Sequence, residues 1–209
     1  MTNLLGTDYS VKTADDMTVT IEKSDVVYDG FFKMFRYHLK HSLFNGGMSS
    51  IFTREVMSRP NVVAVLLVDP VLKEVVLIKQ FRAGALENNN PWLEELVAGL
   101  IDPGELPEDV ARRETKEETG LALLGELTKI AKYYGSAGGS NEMTTLYYGE
   151  VDASQAYGVH GLEGENEDIL VIRKSFKEFF SSIDQCQADT ASLVIGAMWL
   201  KNKIMNPTG

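Results

Sequence analysis

Apolar positions change their period several times along the chain, and each change marks an element. Residues 17–23 alternate apolar and polar side chains, and Phe31, Phe35, Tyr37 and Leu39 share one parity, with Lys33 as the exception. Both stretches have the two-residue period of a strand. Asn45-Gly46-Gly47 supplies a turn and residues 49–57 resume extended character, so this part predicts a β-hairpin or small meander. Residues 62–68 are an apolar run that predicts a buried strand; Asp69-Pro70 predicts a turn, and residues 74–81 the returning strand. Residues 87–91 read as an exposed loop, and 92–98 as a strand leading to Gly99. The pattern then predicts a helix over about 107–119, strands near 128–134 and 143–151 flanking a glycine-rich 135–140, an acidic loop over 154–168, a strand at 169–173, and helices over 176–183 and 188–203. This mixed order predicts an α/β layered sandwich carrying an N-terminal β-rich appendage, with segments 1–57 and 58–209.

Charge on the first of those helices changes the picture. Glu114, Glu117 and Glu118 stand at i, i+3 and i+4 and share a face. Like charges one turn apart disfavour an isolated helix by about 0.2–0.5 kcal/mol. An ion pair between Arg113 and Glu117 would satisfy only one of the three, and Lys116 projects to the far side. On spacing alone a solvated acidic face is the plainer reading. The alternative is a site for a hard divalent cation, which takes oxygen ligands and often shares them with substrate phosphates.

The punctuation around the helix favours the second reading. Gly99, Glu105, Arg113, Glu114, Glu117, Glu118, Gly120 and Leu121 recur at the spacing of the Nudix box, eight matches over 23 residues. The stretch resembles the signature of the Nudix hydrolase family, far more specifically than a lone glycine motif would. One position departs: Thr115 stands where the family usually has a bulky aliphatic residue, which bears on packing more than on chemistry.

Composition limits the partners. The formal charge of −10 argues against nucleic acid or an anionic membrane surface. An anionic substrate is not drawn in by such a field, so a phosphate site must be built locally from metal and a few arginines. Residues 1–16 lack a signal-peptide pattern and the longest apolar run is too short to span a bilayer, which makes the cytoplasm the expected location. The single cysteine, Cys186, allows no disulfide within the chain and reads as structural or incidental. His38, His41 and His160 form no zinc spacing and are assigned no role.

A wider resemblance, to the bacterial ADP-ribose pyrophosphatases of the Nudix family, rests on short stretches in order along residues 28–200. They include Gly30-Phe31-Phe32, Arg54-Glu55-Val56, Gln80-Phe81-Arg82, Val97-Ala98-Gly99, Ser140-Asn141-Glu142 and Glu165-Asn166-Glu167-Asp168. The resemblance implies a Nudix-type α/β/α sandwich that cuts ADP-ribose to AMP and ribose 5-phosphate with Mg²⁺, or Mn²⁺ in its place. It implies that the Ala98 carbonyl, Glu114, Glu118 and Glu167 hold metal. Glu165 would be the base, with Glu117 close by, and Arg54, Arg82, Glu142 and Phe31 would contact substrate. A homodimer with exchanged N-terminal segments is also implied. Ala137 stands where these enzymes often carry a proline, which leaves GDP-mannose and other nucleoside diphosphate sugars open as substrates. A nucleotide-sugar sensor without catalysis would be expected to have lost box carboxylates, and here they are intact.

Overall fold

The structure is a computed structural model that describes residues 9–13, 15–87 and 89–206, with the side chains of Tyr9 and Glu165 outside the description. Asn88, within the expected loop at 87–91, and residues 1–8 of the expected appendage lie outside the described residues. The chain divides into two compact units, Met1–Pro60 with Tyr134–Met143, and Asn61–Tyr133 with Thr144–Gly209.

In the first unit β1 (Tyr9–Lys12), β2 (Thr18–Asp29), β3 (Lys33–His41) and β4 (Phe52–Ser58) form a four-stranded antiparallel meander in chain order. The turn between β3 and β4 uses Gly46 and Gly47, both at positive φ, a region glycine enters without steric cost. The register of β2 on β3 shifts between Ile21 and Lys23 and between Val26 and Tyr28; such irregularities bend a strand. The glycine-rich segment at 135–140 joins this unit through backbone bonds. Met57 N–H donates to Gly139 O at 2.8 Å, and Asn141 N–H donates to Met57 O at 3.3 Å. Sequence alone leaves that segment with the second unit.

The second unit is built on β5 (Val62–Asp69), β6 (Glu74–Phe81), β7 (Trp92–Glu95), β8 (Val97–Leu100), β9 (Leu124–Tyr134), β10 (Met143–Glu150), β11 (Val159–His160) and β12 (Ile169–Ser175). They make one mixed sheet in the order β11-β12-β6-β5-β10-β9, with β7 on β6 and β8 on β5. The helices are α1 (Pro107–Thr119), α2 (Phe176–Asp184) and α3 (Ala191–Met205).

Alternation along β5 explains the layering. Val63, Val65 and Leu67 join Val110 and Ala111 of α1 in one core. Ala64, Leu66 and Val68 join Phe179 of α2 and Leu193, Ala197 and Leu200 of α3 in the other. Successive strand residues face opposite ways, so a continuous apolar run is required when helices cover both faces.

The expected single strand at 92–98 is two strands. β5 and β6 pair only near their hairpin, at Leu67–Asp69 against Val76, Val75 and Glu74. Beyond it β7 pairs with β6 and β8 with β5. Leu96, buried in the α2–α3 core, marks the change of partner. This transfer sets Ala98 and Gly99 beside α1.

Candidate functional site

Helix α1 is well punctuated. Pro107 occupies its first turn, where a missing N–H is harmless, and Glu108 and Asp109 follow there. Gly120 ends it at φ 71°, with its N–H bonded to Lys116 O at 2.9 Å and its carbonyl accepting from Lys116 Nζ at 2.6 Å. Thr115, the atypical box residue, is wholly buried and donates its hydroxyl to Ala111 O at 2.7 Å. The hydroxyl is thereby satisfied inside the helix, and the side chain fills an aliphatic position.

The three box carboxylates have different surroundings. Glu118 is 2% exposed, and its Oε2 accepts from the Ala98 N–H at 3.1 Å. Burial pushes its carboxyl up to about 9; the Ala98 N–H opposes this, and the charges of Glu114 and Glu167 add to it. Burial, with help from Glu117 and Glu167 and against Arg113, pushes Glu114 up to about 7. Arg113 does more than the expected single pair. Its Nη1 lies 2.8 Å from Glu114 Oε1 and 3.1 Å from Glu117 Oε2. Glu118 receives only the longer-range field of Arg82.

Gly99 is required by this arrangement. A Cβ there would stand 2.0 Å from Glu114 Oε1 and 2.1 Å from its Cδ. The Glu114 carboxylate therefore lies where any other residue would carry a side chain. From the late loop, Glu167 acts on Glu114 and Glu118 while its Oε2 accepts from Leu162 N–H at 3.2 Å.

The donor set fits a hard cation: every member is an oxygen, and burial and mutual repulsion raise the Glu114 and Glu118 carboxyls, a cost that a divalent charge would relieve. Among the described residues no three acidic or histidine side chains already form a group able to hold a metal ion. Mg²⁺ does not need one, because it usually binds one or two carboxylates plus waters and substrate phosphates.

The second unit thus brings together Ala98, Glu114, Glu118 and Glu167, with Glu117 linked through Arg113 and Arg82 close enough to act on Glu118. Glu165 falls in a 3₁₀ turn, Glu163–Glu165, on the same loop. Arg54, Glu142 and Phe31 belong to the first unit. There Arg54 lies over the Phe52 ring, 4.6 Å from its centroid. Glu142 Oε2 is 2.8 Å from Arg59 Nε, and Phe31, 87% exposed, meets Phe32 edge-on at 4.7 Å.

Three features escape a reading of the sequence. Glu95 accepts from Arg82 Nε at 2.8 Å and orients it. Arg59 holds Glu142 and lies over Phe32 at 4.4 Å. Gln80 is buried with its Nε2 unpartnered, on the same strand parity as Val76 and Ile78, which face the α1 core. A lone amide closing the buried run at 75–80 was the available signal.

A two-layered helical cover over a split mixed sheet, with acidic box residues at the split, defines the class: a Nudix-fold hydrolase. Residues 57–179 match the NUDIX domain family, and the chain belongs to it. The chain is 42% identical over 195 residues to the ADP-ribose pyrophosphatase of Escherichia coli (strain K12), covering 90% of this chain and 93% of that one. It is 40% identical to the Haemophilus influenzae protein of the same name, over 88% and 86% of the two chains. Against the GDP-mannose pyrophosphatase of Enterobacter sp. (strain 638) the identity is 35%, over 75% and 82%. A crystal structure titled ADP compounds hydrolase shares the fold with a TM-score of 0.67 at 20% identity, covering 99% of each chain.

Proposed function

We propose that this enzyme hydrolyses the pyrophosphate bond of ADP-ribose, giving AMP and ribose 5-phosphate, with Mg²⁺ as its cofactor and Mn²⁺ able to replace it. The observation that carries the substrate is identity: 42% across 90% of the chain to an ADP-ribose pyrophosphatase, against 35% across 75% to a GDP-mannose pyrophosphatase. The acidic face of α1, with Glu118 buried and Glu114 and Glu117 half-buried, supports the chemistry.

In this reading Glu114, Glu118, Glu167 and the Ala98 carbonyl hold the metal. The bound ion would supply charge neutralisation on the pyrophosphate and a more acidic water. Glu118, anchored by the Ala98 N–H, keeps its ligating oxygen fixed relative to β8. Glu165 takes the proton of the attacking water. Glu117, held by Arg113, is the second catalytic carboxylate, and its charge acts on Glu114. Arg82, oriented by Glu95, binds a phosphate oxygen, a task that suits a planar guanidinium. Arg54 and Glu142 contact the substrate, and Phe31 offers a face to the adenine.

A homodimer formed through segment 1–57 accords with the exposed Tyr28, Phe31, Phe44 and Ile51 of the first unit. Among the described residues no helix is long and apolar enough to cross a membrane, and we assign the enzyme to the cytoplasm.

Purified protein with Mg²⁺ would be offered ADP-ribose, GDP-mannose and other nucleotide sugars, with products separated by chromatography. AMP and ribose 5-phosphate formed fastest from ADP-ribose, and abolished by EDTA, is the expected result. Faster cleavage of GDP-mannose would replace the substrate and keep the site.

A further inference from the structure

The end of the box helix meets the start of the late acidic loop at His160. A Cβ built on Gly120 would stand 2.8 Å from His160 Cε1 and 3.4 Å from its Nδ1. The imidazole therefore rests on the bare Cα that caps α1, two residues past Glu118. Its Nε2 is 2.9 Å from Tyr157 O. A carbonyl can only accept, so Nε2 carries the proton and the ring orientation is fixed.

From His160 the chain forms a closed hairpin. His160 pairs with Ile169 and Val159 with Leu170. Val171 N–H donates to Gly158 O at 3.0 Å, and Glu167 N–H donates to Leu162 O at 3.3 Å. The Glu167 carboxylate returns to Leu162 N–H at 3.2 Å. Gly161, at φ 105°, allows the closure: a Cβ there would lie 2.7 Å from Glu167 Cβ. The hairpin is closed by its own hydrogen bonds; at its base Ile169 packs into the core with Val110 and Ala111 of α1, and the His160 ring sits on the helix end.

We propose that His160 is a positioning residue: seated on Gly120, it sets the hairpin bearing Glu165 and Glu167 against the helix bearing Glu114 and Glu118. This rests on the metal and base roles proposed above. It also gives Gly120 a second duty. An asparagine could adopt the left-handed cap, but its Cβ would displace the ring.

The test uses His160→Ala and His160→Gln in the full-length protein. Hydrogen exchange without metal is expected to speed at least about tenfold at the Leu162, Glu167 and Val171 amides, with β5 amides unchanged. With Mg²⁺ and ADP-ribose, kcat is expected to fall about 10- to 100-fold, as when a partner orienting a metal ligand is lost. KM for the nucleotide should stay within about twofold, and half-saturation by Mg²⁺, read by calorimetry, should move to higher concentration. Glutamine keeps a donor for Tyr157 O and should recover part of both effects. Unchanged exchange in the hairpin, faster exchange spread evenly over the chain, or a loosened hairpin with native kcat would each overturn the proposal. If wild-type protein fails to cut any nucleotide sugar, the proposed reaction falls. The exchange and Mg²⁺ binding measurements would still decide His160.

Discussion

The Glu118 carboxylate accepts the Ala98 N–H at 3.1 Å, which ties a buried acid on the box helix to the strand that crosses beneath it. The bond survives if the acid becomes an amide, because the amide oxygen accepts equally well. Glu118→Gln therefore mimics the protonated carboxyl that burial favours. Its metal-free thermal midpoint at pH 8 is expected to equal or exceed that of the wild type. Mg²⁺ should no longer raise the midpoint, and turnover should fall by more than about 100-fold, beyond the usual loss for residues that merely orient a ligand. Near-native turnover would remove Glu118 from the metal site.

Glu114 and Glu118 also fix a pH dependence. Both carboxyls are raised, to about 7 and about 9 from 4.5. Between the unfolded and folded values the native state binds more protons than the unfolded chain, so stability falls as pH rises. Their contribution is complete below about 4.5 and is lost as pH passes 7 and then 9. Metal-free protein should show a midpoint that declines from pH 5 to pH 9. Mg²⁺, which binds the ionised forms, should flatten the decline by about 2.7 kcal/mol when present at 100 times its Kd. A midpoint rising across that range in EDTA would contradict this.

At Gly99 a methyl group would overlap Glu114 Oε1 at 2.0 Å. Gly99 has no positive φ, so the backbone tolerates alanine and the damage falls on the carboxylate. Gly99→Ala is expected to remain folded, with loss of stability below about 2 kcal/mol, while Mg²⁺ affinity and kcat both drop at least tenfold. Denaturant titration beside calorimetry separates the two effects. Equal stability with unchanged Mg²⁺ affinity would mean that Glu114 does not need that space.

Much of this was legible in the chain. The apolar run of β5, the return of β6 and the limits of α1 follow from local period and punctuation. The box spacing placed Glu114 and Glu118 on one face, though which would be buried was set by the strand beneath. The division of 92–98 into β7 and β8 was not legible, since one extended run looks the same whether or not it changes partners. The links Arg82–Glu95 and Arg59–Glu142 span 13 and 83 residues, and His160 meets Gly120 across 40; no short-range period encodes them.

Thr115 offers a stability test with an expected null result on chemistry. Its hydroxyl bonds to Ala111 O within the helix. Thr115→Val keeps the shape, removes one buried polar group and restores an aliphatic side chain. The lost bond is worth about 1 kcal/mol, and the avoided burial of a hydroxyl offsets it. The midpoint should shift by less than about 1 kcal/mol equivalent, with kcat and KM unchanged. A large loss of activity would mean that the hydroxyl acts in the site.

Phe31 tests the proposed nucleobase contact most directly, because its exposure separates binding from folding. At 87% exposed it buries little, and it meets Phe32 edge-on. Phe31→Ala should change stability by less than about 0.5 kcal/mol. Stacking of a base on an aromatic ring is worth about 1–3 kcal/mol by alanine substitution, and a contact made equally in ground and transition states appears in KM alone. KM for ADP-ribose should therefore rise about 5- to 150-fold at nearly constant kcat. Phe31→Tyr keeps the ring and should keep most of the affinity. If KM is unchanged in the alanine variant, Phe31 does not meet the base; a shift toward monomer in sedimentation of the same variant would then assign it to association between subunits.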